Sequence, residues 1–194
     1  MKHLRPRSLK KRLRPRLLAV YALALALIWL ARPTPWSLLI GCVPVLVGEW
    51  LRIWGTGHLH KTDELTVTGA YGYLRHPLYA GTLLIATGFA IIAASAPALF
   101  VYGVLLLGYF GYYMPYKDRI EGARLESRYG DAYRRYAAAV PRLVPRFHPY
   151  RPLVDGPEER ATWRKLRFAD NHELGTAVGV GLGLLVMVGR YLLL

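Results

Sequence analysis

The sequence predicts an all-α, polytopic membrane helix bundle of about five transmembrane helices, with a cytosolic helix lying at the membrane interface. Two observations carry this. Hydrophobic residues make up 54% of the 194-residue chain and fall into blocks near membrane-spanning length. Between those blocks the Lys and Arg residues are clustered on alternate sides.

The first block, Leu17–Ala31, follows a basic stretch, residues 1–16, that holds eight of the 26 Lys and Arg residues. The order of charge and then apolar run is that of a signal peptide, yet no small-residue cleavage site follows it, so a retained helix is expected. Arg32-Pro33-Thr34-Pro35 reads as a turn into the second block, Trp36–Trp54, which Pro44, Glu49 and Arg52 interrupt. The third block runs from about Pro77 to Ala96 and the fourth from Ala98 to Tyr116. The short Ser95-Ala96-Pro97 link makes these two an antiparallel hairpin. The fifth, Leu174–Leu194, carries Gly175, Gly179 and Gly183 at four-residue intervals, the spacing that lets helix backbones approach closely in lipid. The whole chain reads as one integral membrane domain, with residues 17–116 holding four spans and 174–194 the last.

With the N-terminus inside, inner segments hold 24 Lys and Arg residues and outer ones hold two, Arg32 and Arg190. The segments His58–His76 and Lys117–Glu173 then face the cytoplasm, and the C-terminus lies outside. A net charge of +14 is compatible with nucleic acid, but this placement of charge points instead to anionic lipid headgroups. Cys42, the single cysteine, has no partner for an intrachain disulfide.

From Asp118 to about Ala138 a helix is expected, with Glu121, Leu125, Tyr129, Tyr133 and Tyr136 on one face and Arg124, Arg128 and Arg135 on another, the latter toward headgroups. Pro residues from Pro141 to Pro157 preclude further helix and predict an extended wrap.

Polar residues suited to chemistry are few. Pro77 fits the first turn of a helix, so Arg75 and His76 sit at a helix N-terminus, where free N–H groups and the macrodipole favour an anion. The plainer alternative is that Arg75 snorkels to headgroups and His76 caps the helix. Glu49 and Arg52, three residues apart inside a span, either neutralise each other or contact substrate. His58 and His60 lack further ligands at metal spacing and read as loop residues, so no metal site is expected. Asp170-Asn171-His172-Glu173 lies at the mouth of the last helix, where Asp170 or Asn171 suits a cap and His172 a substrate contact.

Gly69-Ala70-Tyr71, Arg75-His76-Pro77-Leu78-Tyr79, then Glu121, Leu125, Tyr129-Gly130, Tyr133 and Tyr136, and finally Val140-Pro141-Arg142-Leu143-Val144-Pro145 together resemble the membrane-embedded methyltransferases that include isoprenylcysteine carboxyl methyltransferase and the phospholipid N-methyltransferases. The resemblance spans roughly Arg52 to Pro145, about half the chain. It implies a cytosol-facing pocket for S-adenosyl-L-methionine, with the methyl acceptor arriving from the membrane. Carried onto this sequence, Tyr71, Arg75, His76, Pro77, Tyr79, Glu121 and Tyr133 would bind the cofactor, and Glu121 and Arg75 would be the catalytic pair. Glu49, Arg52 and His172 would meet a lipid-like acceptor, either an isoprenylcysteine carboxylate or a phospholipid amine. Two departures stand out. Gly122 replaces the second of two adjacent glutamates usual in the family, and Asp63 stands where the isoprenylcysteine enzymes usually carry a histidine. Membrane sterol-type reductases resemble the same C-terminal outline and bind NADPH there, which makes them the competing enzyme class. A non-enzymatic lipid-binding bundle is the third possibility, and it leaves the aligned tyrosines and Glu121 without a role.

Overall fold

The structure, a computed structural model, describes residues 15–59, 65–151, 162–165, 171 and 173–194. The expectations for residues 1–14, His60, Asp63, Asp170 and His172 therefore lie outside the described residues. Seven α-helices are described: α1 Pro15–Leu30, α2 Pro35–His58, α3 Pro77–Ala93, α4 Ala96–Gly108, α5 Met114–Tyr129, α6 Asp131–Ala139 and α7 Glu173–Leu193. No strand occurs among the described residues.

Among the described residues three helices are both long and apolar enough to cross a membrane, not the five expected: α2 with 24 residues, the continuous run Ala96–Tyr129 with 34, and α7 with 21. The 16 described residues of α1 rise about 24 Å at 1.5 Å each, short of a hydrocarbon core of about 30 Å. At 17 residues α3 falls short for the same reason, because Pro77 opens it and Ala94, in the left-handed conformation at φ 47°, closes it.

Local chemistry sets the helix starts. Thr34 and Ser37 form a reciprocal capping box, with the Ser37 N–H donating to Thr34 Oγ1 at 3.1 Å and the Thr34 N–H to Ser37 Oγ at 2.9 Å. Pro35 and Pro77 occupy the first turns of α2 and α3, where no N–H is missed. Pro44 does not interrupt α2, which runs unbroken past it.

The centre of the fold is the antiparallel pair α2 and α3. A Cβ on Gly41 would fall 2.6 Å from the Gly88 carbonyl oxygen, and one on Gly48 would fall 2.6 Å from that of Gly81. The backbones therefore meet at two points seven residues apart on each helix. The expected glycine seam on α7 is different. Nothing lies within 4 Å of a Cβ at Gly175 or Gly179, and only Gly183 packs, against the Phe89 ring.

Below this seam, Leu27, Val45, Ile92, Ala93 and Met187 form a buried core shared by α1, α2, α3 and α7. That end of the bundle is tied by Ser95 Oγ donating to Leu30 O (2.7 Å) and by Arg190 Nε donating to Ala31 O (2.9 Å). Large apolar side chains such as Trp29, Phe100 and Leu107 point outward, as a lipid-facing surface requires.

The fourth span does not turn before its polar continuation. α4 passes through a π-helical turn, Tyr109–Tyr113, straight into α5. The single helix expected over Asp118–Ala138 is instead broken at Gly130 (φ 50°), which separates α5 from α6. Residues 141–150 form no helix and bend at 142–144 and 147–148. They bond along the chain before α3, with Arg75 N–H donating to Pro141 O (2.8 Å) and Tyr150 N–H to Gly72 O (2.8 Å).

Candidate active site

A cavity of about 260 Å³ opens at the end of the bundle opposite Ser95 and Arg190. One wall comes from the 3₁₀ turn Gly69–Gly72 and the start of α3, the other from α5 and α6. Of the seven residues expected to bind a cofactor, Tyr71, Arg75, His76, Pro77, Tyr79 and Glu121 line it.

Tyr133 does not line it. It is buried beneath α5, with its hydroxyl 3.1 Å from where a Gly122 Cβ would sit. Tyr136, one turn further along α6, takes the lining position. A side chain at position 122 would require the Tyr133 hydroxyl to shift by a few tenths of an ångström.

Arg75 sits two residues before Pro77, and its Nε is buried without a hydrogen-bond partner among the described residues. A buried guanidinium N–H left unpaired is costly, so this atom is one that a bound acceptor would satisfy. His76 holds the N-cap position of α3, but its side chain makes no cap bond. Its Nε2 lies 2.9 Å from Asp118 Oδ1, and Arg142 Nη2 lies 3.1 Å from Asp118 Oδ2. One turn on, the Tyr79 hydroxyl donates to Glu121 Oε1 at 2.6 Å, and Lys117 Nζ stands 3.9 Å from the same oxygen.

Deeper in the wall, the Tyr136 hydroxyl donates to Tyr71 O at 2.8 Å. Burial pushes the phenol of Tyr136 well above its usual range, with Arg75 acting in the opposite direction. Burial likewise raises Tyr71, whose neighbour Tyr136 adds to the effect. Both rings therefore stay neutral and present flat, apolar faces with a polar edge.

Arg124 and Arg128 also line the cavity, so the arginine face of α5 is not turned wholly to headgroups. Positions 121, 124, 125, 128 and 129 follow the three- and four-residue spacing of a single face. Arg124 and Arg128 thus share the cavity with Glu121, Leu125 and Tyr129, although the sequence predicts a separate face for the arginines.

Beside the cavity, Arg52 does not pair with Glu49. Its Nε and Nη2 donate to the two carboxylate oxygens of Glu173 at 2.7 and 3.0 Å, and its Nη1 donates to Leu78 O (3.2 Å) and Thr82 Oγ1 (2.6 Å). All three nitrogens are thus committed to the protein. The two oxygens of Glu49 are buried with no hydrogen-bond partner among the described residues. His58 is not in a loop. It ends α2, buried, with Nδ1 2.9 Å from Trp54 O, and its ring fills the place of a Cβ on Gly69 (φ 58°).

Comparison with known proteins adds an independent line. A family model described as phospholipid methyltransferase matches residues 36–132, half of the chain. The phosphatidylethanolamine N-methyltransferase of Saccharomyces cerevisiae (strain RM11-1a) is 25% identical over 176 residues, which cover 81% of this chain and 19% of that protein. A protein-S-isoprenylcysteine O-methyltransferase of Schizosaccharomyces pombe is 32% identical over 84 residues, 43% of this chain and 34% of that one. The chain thus spans about a fifth of the length of the yeast relative. No solved structure matches it. The matched stretch contains α2, α3 and α5, and with them Arg75, His76, Asp118 and Glu121, so the chain belongs to the phospholipid methyltransferase family.

Proposed function

We propose that the chain is an S-adenosyl-L-methionine-dependent methyltransferase acting at the cytoplasmic membrane face on a lipid-like acceptor. The observation that carries this reading is the unpaired, buried Nε of Arg75 in a cavity that also holds Glu121. Within a single site they offer a donor for a carboxylate and an acceptor for an ammonium, the two charged groups of an amino-acid moiety. The tyrosine faces beside them fit a purine ring. The donor set therefore fits the cofactor.

When bound, that cofactor supplies a methyl carbon already activated by its sulfonium. The protein's share of the work is then placement and exclusion of water. Arg75 would hold the carboxylate. Glu121, fixed by Tyr79 and countered by Lys117, would hold the ammonium. Tyr71, Pro77 and Tyr79 shape the wall, and Tyr133 supports it from behind.

The acceptor would come from the bilayer side, and Glu49, Arg52 and His172 are the residues proposed to meet it. Of these, Glu49 has side-chain oxygens not taken by other groups among the described residues, whereas Arg52 acts by holding Leu78 and Thr82 of α3 in place. The names of the two relatives supply the acceptor classes, a phospholipid amine and an isoprenylcysteine carboxylate. The excess of 24 inner over two outer Lys and Arg residues supports the cytoplasmic orientation, and the same charges favour anionic lipids as neighbours.

Calorimetric titration of purified protein with S-adenosylhomocysteine and with NADPH tests the reading. Saturable binding of the homocysteine, weakened by about 1–3 kcal/mol in Arg75→Ala, is expected. Binding of NADPH alone would reassign the cavity to a reductase, and binding of neither would leave a lipid-binding bundle.

A further inference from the structure

α3 and α5 face each other through two matched rungs. His76 meets Asp118 at 2.9 Å, and one turn along Tyr79 meets Glu121 at 2.6 Å. The His76 and Tyr79 rings stack with centroids 5.3 Å apart and planes 21° from parallel, so the two rungs hold one flat edge of the cavity. The Tyr79 rung is read by its carboxylate. The His76 rung carries a different consequence.

Asp118 is only 15% exposed, and both its oxygens are used: Oδ1 by His76 and Oδ2 by the Arg142 guanidinium at 3.1 Å. The loop is closed a second time on the backbone, since the His76 N–H donates to the Arg142 carbonyl oxygen at 3.1 Å. An ionised carboxylate only accepts hydrogen bonds, so the ring nitrogen facing it must carry the hydrogen. In the neutral imidazole the lone pair then sits on Nδ1. That nitrogen is the one left for a ligand, because the ring lines the cavity and makes no cap bond to α3.

We propose that Asp118 is a positioning residue that fixes His76 as the Nε2–H tautomer. His76 then offers the cavity ligand an acceptor nitrogen and does not share the anion with Arg75. The two neighbouring residues read opposite chemistry. Arg75 takes an anionic oxygen, while His76 takes a hydroxyl or amino donor, such as a ribose hydroxyl or the exocyclic amine of adenine. The ligand half of this assignment rests on the cofactor reading above, whereas the tautomer does not.

The test is ¹⁵N–¹H correlation spectroscopy of histidine-labelled full-length protein in nanodiscs, with His76→Gln to assign the signal. Wild type should show Nε2 protonated and Nδ1 bearing a lone pair. Asp118→Ala should average the two tautomers. Asp118→Asn leaves one acceptor oxygen for two donors; Arg142 can only donate, so the amide NH2 should turn to His76 and shift the ring toward the Nδ1–H tautomer. S-adenosylhomocysteine should bind about tenfold more weakly to both variants, the scale of one hydrogen bond. A wild-type His76 protonated at Nδ1, as the other tautomer or as imidazolium, overturns the proposal. So does a tautomer unchanged in Asp118→Ala. A wild-type protein with the expected His76 signal that fails to bind the homocysteine overturns the cofactor reading and leaves the role of Asp118 supported.

Discussion

Arg52 on α2 and Glu173 at the first turn of α7 are joined by two hydrogen bonds, 2.7 and 3.0 Å long, across 121 residues of sequence. The same guanidinium reaches Leu78 and Thr82, so one side chain ties three helices beside the cavity. Its path is open because Gly81 has no side chain, and a Cβ there would fall 2.5 Å from Arg52 Cγ. Glu173 is 2% exposed. Arg52→Ala should therefore strand a buried carboxylate and destabilise the fold by about 3–5 kcal/mol. Thermal unfolding in detergent checks this. The double variant Arg52→Met with Glu173→Met should lose clearly less, because no charge is left unpaired.

A second prediction separates the two sets of glycines. Gly88 has the Gly41 carbonyl oxygen 2.5 Å from its would-be Cβ, while Gly179 has nothing within 4 Å. Gly88→Ala should cost about 1–3 kcal/mol by forcing α2 and α3 apart. Gly179→Ala should be neutral or slightly stabilising, since alanine is the better helix former by up to about 1 kcal/mol. Equal losses in the two variants, measured by the same unfolding assay, would remove the α2–α3 seam as the organising contact.

What the sequence shows and what it hides follow from the range of each interaction. Pro77 as a helix start, and with it Arg75 and His76 at the cavity, is a local matter and is legible. So is the face carrying Glu121, Leu125 and Tyr129, because helical spacing sets it. The same spacing runs on through Tyr133 and Tyr136, which hides the break at Gly130. Gly175, Gly179 and Gly183 draw attention by their four-residue interval. Gly41 with Gly48 and Gly81 with Gly88, spaced by seven, become a seam only once two helices face each other. Glu49 is the near neighbour of Arg52 in sequence, yet the geometry of α7 gives the pairing to Glu173. Asp118 carries no local signal at all. Its role exists only through His76 and Arg142, each brought to it by tertiary structure.

Gly122 provides a third test. Relatives with two adjacent glutamates invite the substitution Gly122→Glu as a restoration. Here the Tyr133 hydroxyl stands 3.1 Å from the new Cβ, and Tyr133 is buried. The variant should lose about 1–3 kcal/mol of stability through overpacking and bind S-adenosylhomocysteine no better than wild type. A gain in affinity at unchanged stability would mean that α6 yields and that the missing carboxylate belongs to the site.

The last prediction concerns how the acceptor arrives. The cavity lies at the end of the bundle, with α5 continuing unbroken from a span and the aromatic residues Tyr112, Tyr113 and Tyr116 exposed along its approach. Aromatic side chains with a polar tip favour the membrane–water boundary, so on the proposed orientation this side of the cavity would meet headgroups and its mouth water. A polar cofactor and an apolar acceptor would then use different routes. An acceptor with an amine head must shed a proton before its nitrogen can attack, which calls for a base. Glu49 lies outside the cavity lining, and its two oxygens have no hydrogen-bond partner among the described residues; on the proposed reading it is the candidate base for an acceptor coming from the bilayer. Glu49→Gln should therefore leave S-adenosylhomocysteine affinity intact and lower the rate on a tailed amine acceptor at least tenfold, within the range for removing a general base. In nanodiscs a soluble, tail-less analogue of the same head group should be methylated poorly by wild type. Equal rates for tailed and tail-less acceptors would show that lateral access is wrong. An unchanged rate in Glu49→Gln would return that carboxylate to the set of residues without a role in transfer.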